Sequence, residues 1–398
     1  MRFRSRVVLA AAVLAGVVVA FALTTPGTAS GPEPGRSTLG ATATRTPGIA
    51  APLTTSADAF LAAWVDGGRV VRRDQGNDTV SEGQAYGLLI ALEADNRKAF
   101  GDIWLWTTAH LVRPDGLLGW RWADGVVVDN EPASDADVDA ARALVLAGKK
   151  WGDASYTRAG VKLATVVADT MTVQTQLGRI LLPGVWATKA DPYQYNASYA
   201  SPAAFDVLAK ATADPRWAQL VAGSAAVTGR LLERSALPPD WAQVHGDGTV
   251  EPMPGAAGAG KSVRYGYDAA RLAVRYAESC QPGDKALAAR LAPTLDQSEP
   301  LAAELDLGGA PLAPSEHPLG YAARAAARAA AGDTSGAARD LARARTAALT
   351  SPTYYGAAWA VLGAAMLESG VYGCCPPLAG PPTSTSTSTS TSTSGALP

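Results

Sequence analysis

At 398 residues, with a formal net charge of −2 and no sustained run of Lys and Arg, the chain can bury a substantial core and is ill-suited to a nucleic acid or a strongly anionic surface. Three histidines and three cysteines occur without C-x-x-C or H-E-x-x-H spacing, which excludes the usual zinc signatures, and no dinucleotide, nucleoside triphosphate or esterase fingerprint is expected. Neither a metal nor a cofactor is anticipated, so the chemistry falls to side chains.

Residues 1–29 open with Arg2, Arg4 and Arg6, run apolar from Val7 to Leu23 and end in the small residues Gly27, Thr28 and Ala29. This is the pattern of a secretory signal peptide. About 17 apolar residues also reach the lower limit for a bilayer span, so an uncleaved N-terminal membrane anchor is the alternative. In either case the basic end stays in the cytoplasm and the rest is expected outside the cell. Residues 30–54 are rich in Gly, Pro, Thr, Ser and Ala, cannot build a core and read as a disordered linker.

From 55 to 372 apolar residues recur at spacings of three and four, broken by Pro and Gly clusters. The predicted helices cover 57–71, 84–94, 100–111, 138–151, 156–170, 202–211, 217–233, 268–278, 285–296, 321–331, 335–349 and 355–370. Strand candidates are few, with 125–128 and 249–251 the best. The class is therefore all-α with short β excursions, and a dozen helices suit a toroid of six helical hairpins in which outer helices pack inner ones. An open solenoid is the alternative, but no fixed repeat is visible. From 373 to 398 the chain becomes a low-complexity Pro, Thr and Ser tail, a candidate for disorder and O-glycosylation. Cys280 can pair with one of the vicinal Cys374 and Cys375, leaving one thiol over.

Three helix starts carry acids: Ser81-Glu82-Gly83-Gln84, Ser134-Asp135-Ala136-Asp137 and Tyr267-Asp268-Ala269-Ala270-Arg271. Ser81 with Gln84, and Ser134 with Asp137, read as capping boxes. A carboxylate in the first turn is stabilised by the helix dipole, and the plain alternative is that these acids do no more than that. For Glu82 to serve as a proton donor it needs burial or a neighbouring negative charge, which Asp135 would supply while Asp137 and Asp139 serve the cap. Arg271, three residues after Asp268, would keep that aspartate charged. One protonated acid and one charged carboxylate are what glycoside hydrolysis requires. Trp104, Trp106, Trp120 and Trp122, and then Trp186, Tyr193, Tyr195, Tyr199 and Trp241, add flat rings suited to pyranose faces, with about half of the tryptophans expected in the core.

Ala133-Ser134-Asp135-Ala136-Asp137, followed by Ala141, Ala143, Leu144, Val145, Ala147 and Trp151, resembles the signature of glycoside hydrolase family 8. Ala140 departs from it, where a larger aliphatic residue is usual. Ser81–Gly87, the Asn196-Ala197-Ser198-Tyr199 segment with Pro202, Leu237-Pro238-Pro239-Asp240-Trp241 and Tyr267–Arg271 match further segments in the same order. The resemblance spans about 55–370. It implies an (α/α)6 barrel with an open groove, Glu82 as general acid, Asp268 as base (the cellulase-like subgroup) and Asp135 as the aspartate that orients the sugar. Trp120, Tyr199, Tyr267 and Arg271 would bind substrate. The implied reaction is hydrolysis of an internal β-1,4 bond with inversion, for which the two carboxyl groups should stand about 6.5–9.5 Å apart. The expected partner is a β-linked polysaccharide, cellulose-like glucan before xylan, mixed-linkage glucan or chitosan, acted on by a monomer. A non-catalytic glycan-binding envelope protein is the alternative from another class. A polysaccharide lyase would need a basic groove and a Tyr, His or metal arrangement that the sequence does not show.

Overall fold

In the computed structural model, residues 53–379 are described apart from Lys189 and Lys261. The readings of 1–52 and of the Thr-Ser tract lie outside the described residues. The helices are α1 (Leu53–Trp64), α2 (Ser81–Glu93), α3 (Arg97–His110), α4 (Ser134–Trp151), α5 (Ala154–Thr170), α6 (Pro202–Thr212) and α7 (Pro215–Arg234). They continue with α8 (Ala269–Ala277), α9 (Pro282–Ala289), α10 (Ala292–Leu295), α11 (Pro318–Ala330), α12 (Thr334–Thr350) and α13 (Tyr354–Glu368).

A helix apolar on every side must be buried on every side. That holds for α2 and α13; α8 and α11 are also buried all round, but their arginines Arg271, Arg275 and Arg324 are paired there with the buried acids Asp135, Asp139 and Asp340. With α4 and α6 they form the inner ring: α2 packs on α4, α4 on α6, α6 on α8, α8 on α11, α11 on α13, and α13 back on α2. The outer helices α3, α5, α7, α9 and α12 pack on α2, α4, α6, α8 and α11, and α1 lies against α13 and α2. The ring closes, giving the (α/α)6 barrel rather than an open solenoid. Small residues allow the close approach. A Cβ on Gly363 of α13 would stand 2.8 Å from the Ala322 Cβ of α11, so the bare backbone is what lets these two inner helices touch.

The helix boundaries differ from the periodicity where turn chemistry intervenes. Helix α1 ends at Trp64, not at 71, because Gly67 and Gly68 both have positive φ and turn the chain into the hairpin β1 (Val65–Asp66) and β2 (Arg69–Val70). The segment predicted as one helix over 285–296 is two, α9 and α10, split ahead of Pro293, which lacks an N–H and would clash with the preceding turn.

The remaining strands are β3 (Thr79–Val80), β4 (Arg121–Ala123), β5 (Val126–Asp129), β6 (Thr172–Thr175), β7 (Gly178–Leu181), β8 (Tyr193–Tyr195), β9 (Trp241–Val244) and β10 (Val250–Met253). They pair antiparallel as β3-β4-β5, β6-β7 and β8-β9-β10. Each of these described strands lies in a connection from an outer helix to the next inner one. The β excursions therefore decorate the end of the barrel at which the inner helices begin, and leave the other end to short turns.

Ordered chain continues past 372, where a low-complexity tail was expected to start. The Cys375 N–H donates to the Glu278 carbonyl at 2.9 Å, the Leu378 N–H to the Leu367 carbonyl at 2.9 Å, and Cys375 is bonded to Cys280. Cys374 is the free thiol, and burial pushes its pKa up to about 12. Among the described residues no helix is long and apolar enough to cross a membrane.

Candidate active site

Glu82 stands in the first turn of α2, Asp135 in the first turn of α4, and Asp268 immediately before α8. All three converge on the guanidinium of Arg271. Its Nη2 donates to Asp268 Oδ1 at 2.6 Å and its Nη1 to Asp135 Oδ2 at 2.8 Å, while Glu82 Oε2 lies 3.9 Å from Nη1. Nη1 also donates to the Tyr86 hydroxyl at 3.2 Å, and the ring of Tyr199 lies 5.2 Å from Cζ. Burial sorts the acids. The side chains of Glu82 and Asp268 are 21% and 26% exposed, whereas Asp135 at 3% and Arg271 at 1% lie beneath them.

The Glu82 carboxyl is pushed up to about 7, chiefly by burial. The nearby Arg271 charge pulls the other way, the Asp135 and Asp268 charges add to the rise, and a hydrogen bond with Tyr86 opposes it. Burial likewise raises Asp135, against the pull of Arg271. The helix dipole at the start of α2 is thus outweighed by desolvation and like charge.

The capping boxes are not formed. Val80 and Ala133 occupy the N-cap positions without a side-chain cap, and the hydroxyls of Ser81 and Ser134 are buried without a hydrogen-bond partner. Neighbouring connections supply the acceptors instead: the Ser81 N–H donates to the Trp120 carbonyl at 2.8 Å and the Ser134 N–H to the Pro183 carbonyl at 3.0 Å. Gln84 is turned inward, where its Oε1 accepts from the Val70 N–H and its Nε2 donates to Thr107 Oγ1. Asp137 and Asp139 do not cap either. Asp137 Oδ1 accepts from the Leu118 N–H at 3.0 Å, and Asp139 is ion-paired with Arg275 of α8.

The aromatic candidates divide. Trp120 is half-buried against the start of α2 through its carbonyl, and Tyr267, 39% exposed, meets the rings of His317 and Tyr355 at 4.9 and 6.4 Å. Trp106 and Trp122 pack on each other and on His110 rather than with the acids, Tyr195 is fully buried, and Trp217 and Trp359 belong to the core. Four participants were missed. Tyr86 lies one turn after Glu82 on the same helical face, which the sequence could have revealed. Tyr355 donates to the Tyr267 carbonyl at 3.1 Å beside this cluster. Trp241, read only as a flat ring, donates its indole N–H to Asp268 Oδ2 at 3.1 Å. Asp240, adjacent to it, binds the backbone on either side of Asp268. The sequence showed these last two only as part of a family-like segment; their partners follow from the pairing of distant loops.

One nucleotide fingerprint does occur, contrary to the expectation of none. Residues 255–262 read Gly-Ala-Ala-Gly-Ala-Gly-Lys-Ser, the spacing of a phosphate-binding loop. Its meaning depends on a helix N-terminus directly after the Lys-Ser pair. Here a 3₁₀ turn at Ala256–Gly258 follows β10, and α8 begins only at Ala269, so the match is one of spacing alone. Among the described residues no group of three His, Cys, Asp or Glu is arranged to hold a metal ion.

Two partly exposed carboxyls and a buried third, set round one arginine where the inner helices of a closed barrel begin, define an (α/α)6 protein with a glycosidase-type site. The chain belongs to Glycosyl hydrolases family 8, whose family model matches residues 48–368. It is 34% identical over 216 residues to a probable endoglucanase of Novacetimonas hansenii, covering 52% of this chain and 60% of that protein. It is 32% identical over 191 residues to an endoglucanase of Cellulomonas uda, covering 46% and 53%. The chain thus spans about half the length of the curated relatives it matches. Among solved structures it resembles the endo-beta-1,4-glucanase CMCax from Acetobacter xylinum, with a TM-score of 0.66 and 27% identity over 79% of this chain and 97% of that one.

Proposed function

We propose that the protein is an endo-acting, inverting glycoside hydrolase that cleaves internal β-1,4 bonds of a cellulose-like glucan. The observation that carries this reading is the unequal treatment of two partly exposed carboxyls: burial pushes the Glu82 pKa up to about 7, while Asp268 is ion-paired with Arg271 at 2.6 Å. Glu82 gives its proton to the leaving glycosidic oxygen. Asp268 takes a proton from water as that water attacks the anomeric carbon from the opposite face. Asp135 orients the sugar at the cleaved bond, and its charge beside Glu82 helps keep that acid protonated. Trp120, Tyr199 and Tyr267 contact the polymer through their rings, and Arg271 serves both acids.

The choice of glucan rests on the relatives, which are named endoglucanases. Action outside the cell is part of the proposal. The basic and apolar start of the sequence and the Cys280–Cys375 disulfide, suited to an oxidising compartment, support it.

The test is reducing-end release from carboxymethyl cellulose, mixed-linkage glucan, xylan and chitosan, with wild type beside Glu82→Gln at mildly acidic pH. Turnover on carboxymethyl cellulose that the variant loses, with the first product in the α configuration by NMR, is the expected result. A folded wild type inert on all four polymers would move the assignment to a glycan-binding protein.

A further inference from the structure

We propose that Asp240 and Trp241 are positioning residues for Asp268, and that they leave Asp268 Oδ2 as the atom that accepts the proton of the attacking water. This rests on the reading of Asp268 as the base. Glu82 and Asp135 lie within helices, but Asp268 is carried at the end of the long connection from β10 to α8, and a general base must be held to within a fraction of an ångström.

Asp240 supplies the hold on the backbone. Its own N–H donates to the Arg264 carbonyl at 2.8 Å, and its Oδ1 accepts from the Gly266 N–H and the Ala269 N–H, each at 2.8 Å. One oxygen thus clasps the chain on both sides of Asp268. It also satisfies the start of α8, which has no cap of its own. The fit is close enough that a Cβ on Gly266 would stand 2.7 Å from Asp240 Oδ2.

Trp241 supplies the hold on the side chain. It is the first residue of β9, the central strand of its sheet, with β8 on one side and β10 on the other. The residue is 7% exposed, its ring packs on Tyr199 at 6.1 Å and Trp186 at 6.5 Å, and its Nε1–H meets Asp268 Oδ2 at 3.1 Å. With Arg271 on Oδ1 and Trp241 on Oδ2, the carboxylate has no free rotation.

The two oxygens are not equivalent. Oδ1 is engaged by a charged donor at 2.6 Å, and Oδ2 by a neutral one at 3.1 Å. Charge-assisted bonds are roughly twice as strong as neutral ones, so Oδ2 keeps the more available lone pair. In the reaction the water O–H bond breaks toward Oδ2 as its oxygen bonds to the anomeric carbon. The glycosidic C–O bond breaks with its electron pair, and the leaving oxygen takes the proton of Glu82.

The test compares Trp241→Phe, Asp240→Ala and Asp240→Asn on a soluble glucan. Trp241→Phe keeps the ring and removes the N–H, and kcat should fall about tenfold to a hundredfold with KM within about twofold. Asp240→Ala should lose kcat in the same way. Asp240→Asn, whose amide oxygen can still accept both N–H groups, should recover most of it. Cello-oligosaccharide binding, measured by calorimetry in the Glu82→Gln background, should be unchanged by Trp241→Phe. An unaltered kcat in Trp241→Phe, or a loss confined to binding or melting temperature, would overturn the positioning role while leaving the glucanase reading intact. A folded wild type without turnover would remove both.

Discussion

Asp135 and Arg271 are 136 residues apart in sequence and meet at 2.8 Å, and the same offset recurs twice below them. Asp139 pairs with Arg275, and then, with the charges exchanged, Arg142 donates to both oxygens of Glu278 at 2.9 and 2.8 Å. Positions 135, 139 and 142 of α4 and 271, 275 and 278 at α8 advance together, so the two helices run parallel and the pairs form a buried ladder inside the barrel. Its top rung belongs to the site and its lower rungs fix the helices that carry it.

The lowest rung is testable by itself. Arg142 and Glu278 are completely buried, and removing one partner leaves an uncompensated charge. Glu278→Gln should cost about 3–5 kcal/mol in denaturant unfolding. Pairing it with Arg142→Met should recover a large part of that loss, because the pair has itself been desolvated. Equal losses in single and double variants would mean that the bonds from Arg142 to the Tyr372 carbonyl, at 3.0 and 2.8 Å, matter as much as the charge pair.

The alkaline side of the activity profile should belong to Glu82. With its pKa pushed up to about 7, the proton it must donate is present below that pH and lost above it, so kcat/KM should fall as pH rises through about 7. Asp135 contributes a charge that raises Glu82 and also occupies Arg271, which lowers it. Asp135→Asn should therefore move this limb to lower pH on both counts, alongside any loss of rate. A limb that stays in place would mean that burial and the Asp268 charge, not Asp135, set the acid.

The helices and the three acidic helix starts were legible because they are local, whereas which helices form the inner ring emerged only from their packing. Periodicity marked the helices, and Glu82, Asp135 and the Asp268-to-Arg271 step were each visible within one short segment. The caps were misread because the sequence shows which side chains lie near a helix start, and not that carbonyls of Trp120 and Pro183 from other connections already occupy its N–H groups. Asp139 looked like one more first-turn acid until α8 brought Arg275 to it. Asp240 and Trp241 were within sight as a segment, but their work is done on residues 26 to 29 positions away, through strand pairing that no periodicity encodes.

Keeping Glu82 protonated has a cost that can be measured. Its pKa is about 7 when folded against an ordinary 4.5, so between those values the unfolded chain has released a proton that the folded chain retains. Stability therefore falls as pH rises across that window and stays lower above it, by on the order of 2–3 kcal/mol. Glu82→Gln should raise the melting temperature by several degrees at pH 8 and change it little at pH 4. An equal shift at both pH values would point to packing rather than ionisation.

The disulfide should act on stability without touching the site. Cys280 follows the C-terminal end of α8, whereas Asp268 precedes its start, so the helix of nine residues holds them about 14 Å apart along its axis. The bond closes a loop with a sequence separation of 95 and ties the chain after α13 to α8, where the Cys375 carbonyl also accepts from Lys285 Nζ at 2.8 Å. By loop-closure entropy its loss should cost up to about 4–5 kcal/mol. Cys374 is adjacent in sequence but is a poor substitute, because a thiol with its pKa near 12 is almost entirely protonated and does not attack. Cys375→Ser should therefore melt well below wild type under oxidising conditions, match reduced wild type, and retain kcat and KM at temperatures where it remains folded. Wild-type melting in Cys375→Ser, with no free thiol by titration, would show that Cys374 takes over the bond.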